Sequence, residues 1–183
     1  ITFSLNFGDM PIANNLIDPD DLNNSFKEYT YRMEVSNCNN CGCLQVNNVP
    51  DKHLMFNENY AYFASQSIYM SEHFNKLAKF FLQKKLITNP NDYVVDIGSN
   101  DGIFLNCLKN NQIKHLGIDA SSNVVEFSKK RGLNVELGFF NQELALNISQ
   151  KNGKAKIITL TNTMHHIEKC NDVAEGISLL LDN

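Results

Sequence analysis

The spacing of hydrophobic residues is most regular in the second half of the chain. In residues 66–86, apolar side chains recur at i, i+4, i+7 and i+11, which places them on one helical face: Met70, Phe74, Leu77 and Phe81. The run Thr-Asn-Pro-Asn at residues 88–91 then breaks this pattern. The spacing therefore predicts an amphipathic helix over residues 66–86, followed by a turn.

From residue 93 onward, short β-branched or apolar runs alternate with helical patterns. Strands are predicted at residues 93–97, 115–118, 134–137 and 155–160. Helices are predicted after each of them, at residues 103–108, 121–131, 141–149 and 173–180. Strands separated by helices of this length indicate βαβ units and a parallel sheet, in which the loops after the strands share one edge.

Polar residues and one glycine suggest where two of these helices begin and end. Ser121 or Ser122 is suited to cap the second helix, and Gly132 suits its C-terminal end. Asn171 or Asp172 is the predicted cap of the last helix.

Residues 1–64 have a different character. They are rich in Asn and Asp and contain scattered turn residues, and short strands are predicted at residues 27–35 and 43–47. We therefore predict a small irregular module over residues 1–64 and an α/β domain over residues 65–183. The chain opens on Ile1 and stops in a helical pattern, so further segments are expected on both sides.

Composition narrows the class of protein. Of the 183 residues, 43% are hydrophobic and 20% are charged, which is enough apolar content for a folded core. The formal net charge of −4 disfavours a nucleic-acid partner, which needs a basic surface. The sequence has no apolar run of about 18 residues and no signal-peptide pattern, so no membrane partner is predicted. Five cysteines without a disulfide framework fit a reducing compartment, and the predicted location is the cytoplasm.

The loop after the first predicted α/β strand carries the most chemical information. It reads Asp96-Ile97-Gly98-Ser99-Asn100-Asp101-Gly102, and its first glycine lets the backbone turn sharply and lets a ligand approach closely. Asp119 ends the next strand about twenty residues later, the spacing at which a carboxylate accepts from ribose hydroxyls. We therefore expect a nucleoside ligand at this edge of the sheet.

The charge of this loop indicates which kind of nucleoside ligand it would bind. A dinucleotide loop usually reads G-x-G-x-x-G and donates its amides to a pyrophosphate. That glycine pattern is absent here, and Asp96 and Asp101 add two acids. Acids favour a ligand with a ribose and adenine that carries ammonium and sulfonium charges, and S-adenosylmethionine (SAM) is such a ligand. The sequence thus predicts an α/β, Rossmann-like SAM-binding sheet and methyl transfer to a small molecule.

The loops after the third and fourth strands of this sheet are expected to complete the site. Phe139-Phe140 follows the third strand, where an aromatic ring could contact adenine, and packing in the core is the alternative for either ring. Asn162 and His165-His166 follow the fourth strand, near the expected position of the transferred methyl group. A histidine there could act as a base or bind substrate, and the other is expected to be a surface residue.

A cysteine pair in the first module has the spacing of half a zinc knuckle. Cys38-Asn39-Asn40-Cys41 supplies two thiols and Cys43 a possible third, whereas zinc prefers four tetrahedral ligands. A redox dithiol normally opens a helix, but the strand-like run Leu44-Gln45-Val46 follows, which argues against redox chemistry. Cys107 and Cys170 are expected to be buried thiols of the α/β domain.

Taken in order, these segments resemble the SAM-dependent sugar C-methyltransferases, which build branched deoxysugars from nucleotide-linked ketosugars. The resemblance begins with Gly-Asp-Met-Pro-Ile-Ala-Asn, similar to the family's G-x-x-P-L-A-N segment. The similar segments are residues 7–14, 38–42, 59–65, 96–102, 139–140 and 162–167. They cover nearly the whole chain in consistent order. The family combines a zinc-binding module, a SAM domain and a further C-terminal domain.

The resemblance implies roles for individual residues. Cys38 and Cys41 would be zinc ligands, and the other two ligands would come from a C-x-x-C pair before Ile1. Cys43 stands where the family usually has an aliphatic residue and is not counted as a ligand. SAM would be contacted by residues of the sheet edge: Asp96, Gly98, Asn100, Asp119, Phe140 and Asn162.

The resemblance also implies a substrate site, with a nucleotide-linked sugar as the partner molecule. Tyr60 or Tyr62 and His166 would line it near the methyl group. The family's Y-x-Y-x-S-S stretch is altered at Phe63 and Ala64, so either tyrosine is a candidate. A Glu-His pair that is thought to include the catalytic base would lie beyond Asn183.

Of three other functions, two fit the same residues and the third does not. An O- or N-methyltransferase of this build would need no strong base. A SAM- or nucleotide-binding domain without catalysis would use the cysteine module as a protein contact. An NAD-linked enzyme would need pyrophosphate-binding glycines, which this loop lacks.

Overall fold

The computed structural model describes residues 4–21 and 27–182 of the chain. It divides the chain into two compact units, Ile1–Tyr62 and Phe63–Asn183. Among the described residues, every helix is too short or too polar to cross a membrane.

The first unit is built on a three-stranded antiparallel sheet with the order β1-β2-β3. Its elements are β1 (Ser4–Pro11), β2 (Thr30–Asn37), β3 (Leu44–Val46) and the short helix α1 (Lys52–Met55). The strands predicted at residues 27–35 and 43–47 correspond to β2 and β3 with shifted ends.

Strand β1 was not predicted because Gly8 and Pro11 resemble turn residues. The register of β1 against β2 shifts between Asn6 and Asp9, and Gly8 lies in this irregularity with φ of 79°. Pro11 is the last residue of β1, which is an edge strand, where a missing N–H is tolerated. The sheet thus accommodates both residues without losing the strand.

The second unit is an α/β structure around a four-stranded parallel sheet. A 3₁₀ turn (Ala64–Gln66) and α2 (Ile68–Gln83) precede the sheet. The alternating elements follow: β4 (Tyr93–Ile97), α3 (Ile103–Asn110), β5 (Lys114–Asp119), α4 (Ser122–Lys130), β6 (Val135–Leu137), α5 (Gln142–Asn152), β7 (Ile157–Thr159), a 3₁₀ turn (Met164–His166) and α6 (Cys170–Leu180). The predicted α/β class is confirmed.

The strand order β6-β5-β4-β7 reverses at β4. From β4 the chain moves outward through β5 to β6, and it then returns to place β7 on the other side of β4. In open parallel sheets, ligands bind outside the carboxyl ends of the strands at such a reversal. The loops after β4, β5 and β7 therefore lie at the edge where a ligand site is expected.

Two apolar clusters cover the faces of this sheet. All five residues of β4 are buried, as in a central parallel strand, and the apolar ones alternate between the clusters. Val94 belongs to the cluster of α2 and α3, where the ring centroid of Phe104 lies 5.1 Å from Phe74 and 6.1 Å from Phe81. Val95 belongs to the cluster of α5 and α6. Core packing on both faces holds β4 and the loop after it in place.

The predicted N-cap position of α4 is confirmed at Ser121, whereas the predicted cap of α6 is wrong. Ser121 precedes α4, but its hydroxyl makes no capping bond, and Asp119 Oδ1 instead accepts the Ser121 N–H at 2.9 Å. Helix α6 follows Lys169, so Asn171 and Asp172 lie in its first turn and do not cap it. The predicted end of α4 is confirmed, because Gly132 has φ of 69° and follows the helix.

The predicted strand at residues 155–160 is shorter in the structure, where β7 spans three residues. Ala155 instead forms a parallel bridge with Leu181, just after α6. The Ala155 N–H donates to Leu180 O at 2.8 Å, and the Asp182 N–H donates to Ala155 O at 2.8 Å.

Candidate functional site

The loop after β4 is a tight turn in which Gly98 packs against the loop after β7. Gly98 has φ of 73°, and its N–H donates to Ile118 O at 2.8 Å, which ties the loop to β5. A Cβ on Gly98 would overlap the Thr163 side chain, with Thr163 Cγ2 2.7 Å away. Glycine is therefore required at this position for both backbone conformation and space.

Asp119 lies at the end of β5 and organises the neighbouring loops. Its Oδ2 accepts the Asn100 N–H at 2.8 Å, and its Oδ1 accepts the Ser121 N–H at 2.9 Å. Burial raises the pKa of Asp119, while these backbone hydrogen bonds act in the opposite direction. Asp119, the residue predicted to accept hydrogen bonds from a ribose, thus lies beside the loop after β4, as the spacing of the two segments indicated.

Asp96 is the fourth residue of β4 and is almost fully buried, with 5% of its surface exposed. The Thr159 hydroxyl donates to Asp96 Oδ1 at 2.6 Å across the β4–β7 pair. Burial raises the pKa of Asp96 to about 7, the hydrogen bond from Thr159 lowers it, and the charge of Asp119 raises it further. This carboxyl group therefore changes protonation near neutral pH and would be ionised by a nearby cation.

Asp101 does not have the role that the loop's charge suggested. It is fully buried, and its carboxylate accepts the Ser65 N–H at 3.2 and 3.0 Å. The adjacent Asn100 has φ of 51°, and its Oδ1 accepts the Ala64 N–H at 2.9 Å. Asp101 is thus engaged by the protein backbone, and Asp96 and Asp119 remain as the acids for a cationic ligand.

The phenylalanines after β6 differ in burial. Phe140 has 7% of its surface exposed and belongs to the α5–α6 cluster. It lies against Gly176, where an added Cβ would be 3.0 Å from Phe140 Cε1. Phe139 is only partly buried. The structure therefore gives Phe140 a core position and makes Phe139 the more accessible ring for a planar ligand.

The loop after β7 presents polar residues at the same edge of the sheet. Asn162 is exposed and has φ of 57°, a left-handed conformation that asparagine tolerates better than most residues. His166 lies in the 3₁₀ turn, with its ring centroid 4.0 Å from that of His165. Partial burial and the neighbouring His165 lower the pKa of His166, so its imidazole is neutral at pH 7.

The remaining candidate catalytic residues lie in the first unit. Tyr62 has 51% of its surface exposed, and Tyr60 is partly buried with its ring centroid 5.7 Å from Phe56. In the second unit, the structure brings four predicted residues together: Asp96, Gly98, Asn100 and Asp119. The contribution of Thr159 was missed, although a hydroxyl at the end of a predicted strand beside β4 was a usable signal.

The cysteine pair forms a turn between β2 and β3. The Gly42 N–H donates to Cys38 O at 2.9 Å, and Gly42 has φ of 73°. Hydrogen bonds from the backbone of Cys41 and Asn40 lower the pKa of Cys38, which favours the thiolate that metals bind. Within residues 4–21 and 27–182, however, no group of three or more His, Cys, Asp or Glu side chains is placed to hold a metal.

The other two cysteines follow the prediction only in part. Cys107 is buried in α3, and burial raises the pKa of its thiol, as expected for a core residue. Cys170 is exposed at the start of α6, so the prediction of a buried thiol was wrong there. Its Sγ contacts Ile167 O at 3.0 Å.

The parallel sheet, its reversal at β4 and the glycine loop beside acidic residues define a Rossmann-like SAM methyltransferase fold. Two family models match successive parts of the chain: one described as "Putative zinc binding domain" over residues 2–56, and one described as "Methyltransferase domain" over residues 66–181. The chain belongs to the methyltransferase-domain family, since the second match covers more than half of it.

Among curated proteins, the chain is similar to the C-methyltransferase NovU of Streptomyces niveus. The two are 27% identical over 178 residues, which is 97% of this chain and 41% of NovU. The chain therefore spans about two fifths of the length of this relative.

Among solved structures, the chain is similar to three methyltransferases at low identity. A SAM-dependent methyltransferase from Anabaena variabilis is 22% identical with a TM-score of 0.48, covering 58% of this chain and 46% of that one. The magnesium protoporphyrin IX methyltransferase of Synechocystis, solved with bound SAM, is 14% identical with a TM-score of 0.47, covering 62% and 55%. The plantazolicin methyltransferase BamL, in complex with S-adenosylhomocysteine (SAH), is 24% identical with a TM-score of 0.49, covering 64% and 45%.

Proposed function

We propose that this chain is the cofactor-binding part of a SAM-dependent C-methyltransferase that acts on a nucleotide-linked ketodeoxysugar. One observation carries the proposal: Asp96 and Asp119 lie at the carboxyl ends of adjacent strands, beside Gly98, and the pKa of each is raised. Neither acid has an ion-pair partner in the part of the chain that the structure describes. A buried acid and a partly buried acid without a cation favour a positively charged ligand.

The residues of this edge fit SAM. Asp119 would accept hydrogen bonds from the ribose hydroxyls, and Gly98 would let the ligand approach the backbone. Asp96 would be ionised by a positive charge nearby and would in turn stabilise that charge. Phe139 or Phe140 would contact the adenine, and Asn162 would lie at the reacting end. When bound, SAM supplies an electrophilic methyl group on a sulfonium.

Methylation at carbon requires that a proton be removed beside the sugar ketone and that the enolate oxygen be stabilised. His166 can accept a proton because its imidazole is neutral at pH 7. A hydroxyl of Tyr60 or Tyr62 would donate to the enolate oxygen. The similarity to a protein named as a C-methyltransferase, over 97% of this chain, favours carbon over oxygen or nitrogen as the acceptor.

We also propose that residues 1–64 form a zinc-binding module and residues 65–183 the SAM domain. Cys38 and Cys41 would supply two thiolates, since they have the C-x-x-C spacing of zinc ligands and backbone hydrogen bonds lower the pKa of Cys38. Two more ligands would have to come from outside the described residues. All five thiols are unpaired, which fits a cytoplasmic location.

The first test measures cofactor binding to this chain. We expect isothermal titration calorimetry to show one SAH per chain, and no binding of NAD under the same conditions. Absence of SAH binding by the wild-type chain and by the full-length protein would refute the assignment of the cofactor.

The second test uses the full-length protein with SAM carrying a ¹³C-labelled methyl group and a panel of nucleotide-linked ketodeoxysugars. We expect the NMR spectrum of the product to show the labelled methyl group on carbon. A methyl group on oxygen or nitrogen would instead establish the alternative methyltransferase reactions. SAH binding without transfer to any acceptor in the panel would favour a binding domain without catalysis.

A further inference from the structure

Two consecutive side chains of the loop after β4 hold two consecutive backbone N–H groups of the 3₁₀ turn before α2. Asn100 Oδ1 accepts the Ala64 N–H at 2.9 Å, and the Asp101 carboxylate accepts the Ser65 N–H at 3.2 and 3.0 Å. Asp101 is 0% exposed and Ala64 is 7% exposed, so water does not readily substitute for these contacts. We call these three hydrogen bonds the anchoring contacts.

The anchoring contacts satisfy groups that would otherwise be costly to bury. A buried backbone N–H without an acceptor carries the full penalty of its lost hydration. Both carboxylate oxygens of Asp101 accept the Ser65 N–H, and Arg131 Nη1 donates to the main-chain oxygen of Asp101 at 3.4 Å, which is a further contact of this loop. The turn before α2 and the loop after β4 therefore hold each other in place.

The same loop residues also reach the proposed ribose site. Asn100 keeps a left-handed backbone conformation, with φ of 51°, and directs its N–H to Asp119 Oδ2. A non-glycine residue retains this conformation when its surroundings fix it. The anchoring contacts fix it here from one side, and Asp119 does so from the other.

We infer that Asp101 is a positioning residue for the SAM site, acting through Ser65 and Asn100 without touching the cofactor. This inference rests on the proposed function, and it assigns to Asp101 a role different from the direct electrostatic one that the sequence suggests. Loss of the Asp101 carboxylate frees the 3₁₀ turn, releases the Asn100 backbone from Asp119 and thereby weakens cofactor binding.

The experiment compares Asp101→Ala and Asp101→Asn with a matched control, Asp92→Ala. Asp92 Oδ2 likewise accepts two backbone N–H groups, those of Thr88 and Asn89, each at 2.8 Å, but in the turn before β4. Calorimetry gives the SAH affinity of each variant. Hydrogen exchange resolved by residue gives the protection of the Ser65 and Asn100 amides without ligand.

We expect Asp101→Ala to weaken SAH binding about tenfold or more and to accelerate exchange at both amides. Asp101→Asn keeps one acceptor oxygen, so its affinity should recover in part. Asp92→Ala should lower stability while its SAH affinity stays within about twofold of wild type.

A folded Asp101→Ala variant that binds SAH as wild type does, with unchanged exchange at Asn100, overturns the inference. If Asp101→Ala does not fold, SAH affinity and amide exchange are measured on Asp101→Asn at a temperature where this variant is folded. Wild-type values in both measurements then overturn the inference. If neither the wild-type chain nor the full-length protein binds SAH, the proposed function fails separately. The exchange rates of the ligand-free proteins then still decide whether Asp101 orders Asn100.

Discussion

The main-chain N–H of Asn100 donates to Asp119 Oδ2 at 2.8 Å, which joins the loop after β4 to the end of β5. The other oxygen of Asp119 accepts the Ser121 N–H at 2.9 Å, so one carboxylate orders two loops at the ligand edge. In the proposed function the same carboxylate also accepts from the ribose. Substitutions of Asp119 should therefore affect both loop order and cofactor affinity.

We predict that Asp119→Ala weakens SAH binding by more than about tenfold, because it removes the acceptor for the ribose and for Asn100. Asp119→Asn keeps one acceptor oxygen and should lose less affinity. Calorimetry on the folded variants checks both values. Wild-type affinity in Asp119→Ala would remove the assignment of the ribose to this residue.

The raised pKa of Asp96, about 7, predicts how stability depends on pH. The unfolded pKa of an aspartate is about 3.9, so between about pH 4 and 7 the folded state binds the proton more tightly. The free energy of unfolding should therefore fall as pH rises through this window, by at most about 1.4 kcal/mol per pH unit from this group. We predict a smaller fall between pH 5 and 8 in Asp96→Asn, measured by urea denaturation.

Asp119 contributes in the same direction, so the pH dependence should be reduced in Asp96→Asn and not abolished. Asp92→Asn is the control, because hydrogen bonds from the Asn89 and Thr88 backbone lower the pKa of Asp92. Its contribution to stability is lost as pH falls, so its removal should leave the fall between pH 5 and 8 in place. An Asp96→Asn variant that loses as much stability as wild type over this range contradicts the prediction.

The close contact between Gly98 and Thr163 predicts a site-specific effect of an added methyl group. Gly98→Ala combines a left-handed backbone, φ of 73°, with overlap of the Thr163 side chain, and should cost about 3 kcal/mol or more as well as most SAH affinity. Gly132→Ala also has a positive φ, 69°, but its Cβ would meet only the end of the flexible Lys109 side chain, with Nζ 3.1 Å away, and it should cost only about 1–2 kcal/mol.

Thr163→Ala in the Gly98→Ala background should restore part of the stability, because it removes the side-chain atoms that overlap. Urea denaturation of the two single variants and the double variant checks this order. Equal destabilisation by Gly98→Ala and Gly132→Ala would show that backbone strain alone, and not the contact with Thr163, limits this position.

The lowered pKa of Cys38 predicts selective thiol chemistry in the first unit. At pH 7, Cys38 should react with iodoacetamide faster than Cys43, since the thiolate is the reacting form. Mass spectrometry of the alkylated peptides measures both rates. In the full-length protein, added zinc should protect Cys38 and Cys41 and leave Cys43 reactive; equal reactivity of all three with zinc present would contradict the proposed ligand pair.

The alternation of strands and helices after residue 93 was predictable because it depends on local patterns. Apolar periodicity and turn residues located β4, β5 and their loops to within a few residues. The position of Asp119 beside the loop at Gly98 followed too, since the carboxyl ends of neighbouring parallel strands meet at one edge. Strand β1 was missed, because its Gly8 and Pro11 resemble a turn until the pairing with β2 is known.

The sequence by itself determined the order of helices and strands, the class of sheet and the edge of the sheet at which Asp96 and Asp119 lie. Each of these depends on residues that are close together in the chain. Only the tertiary structure decided which partner each polar group takes. Asp101 binds a backbone N–H 36 residues away, and Asp96 accepts from a hydroxyl 63 residues away. Such partners are chosen by how helices and strands pack, which brings distant groups within 3 Å of one another and which no local pattern encodes.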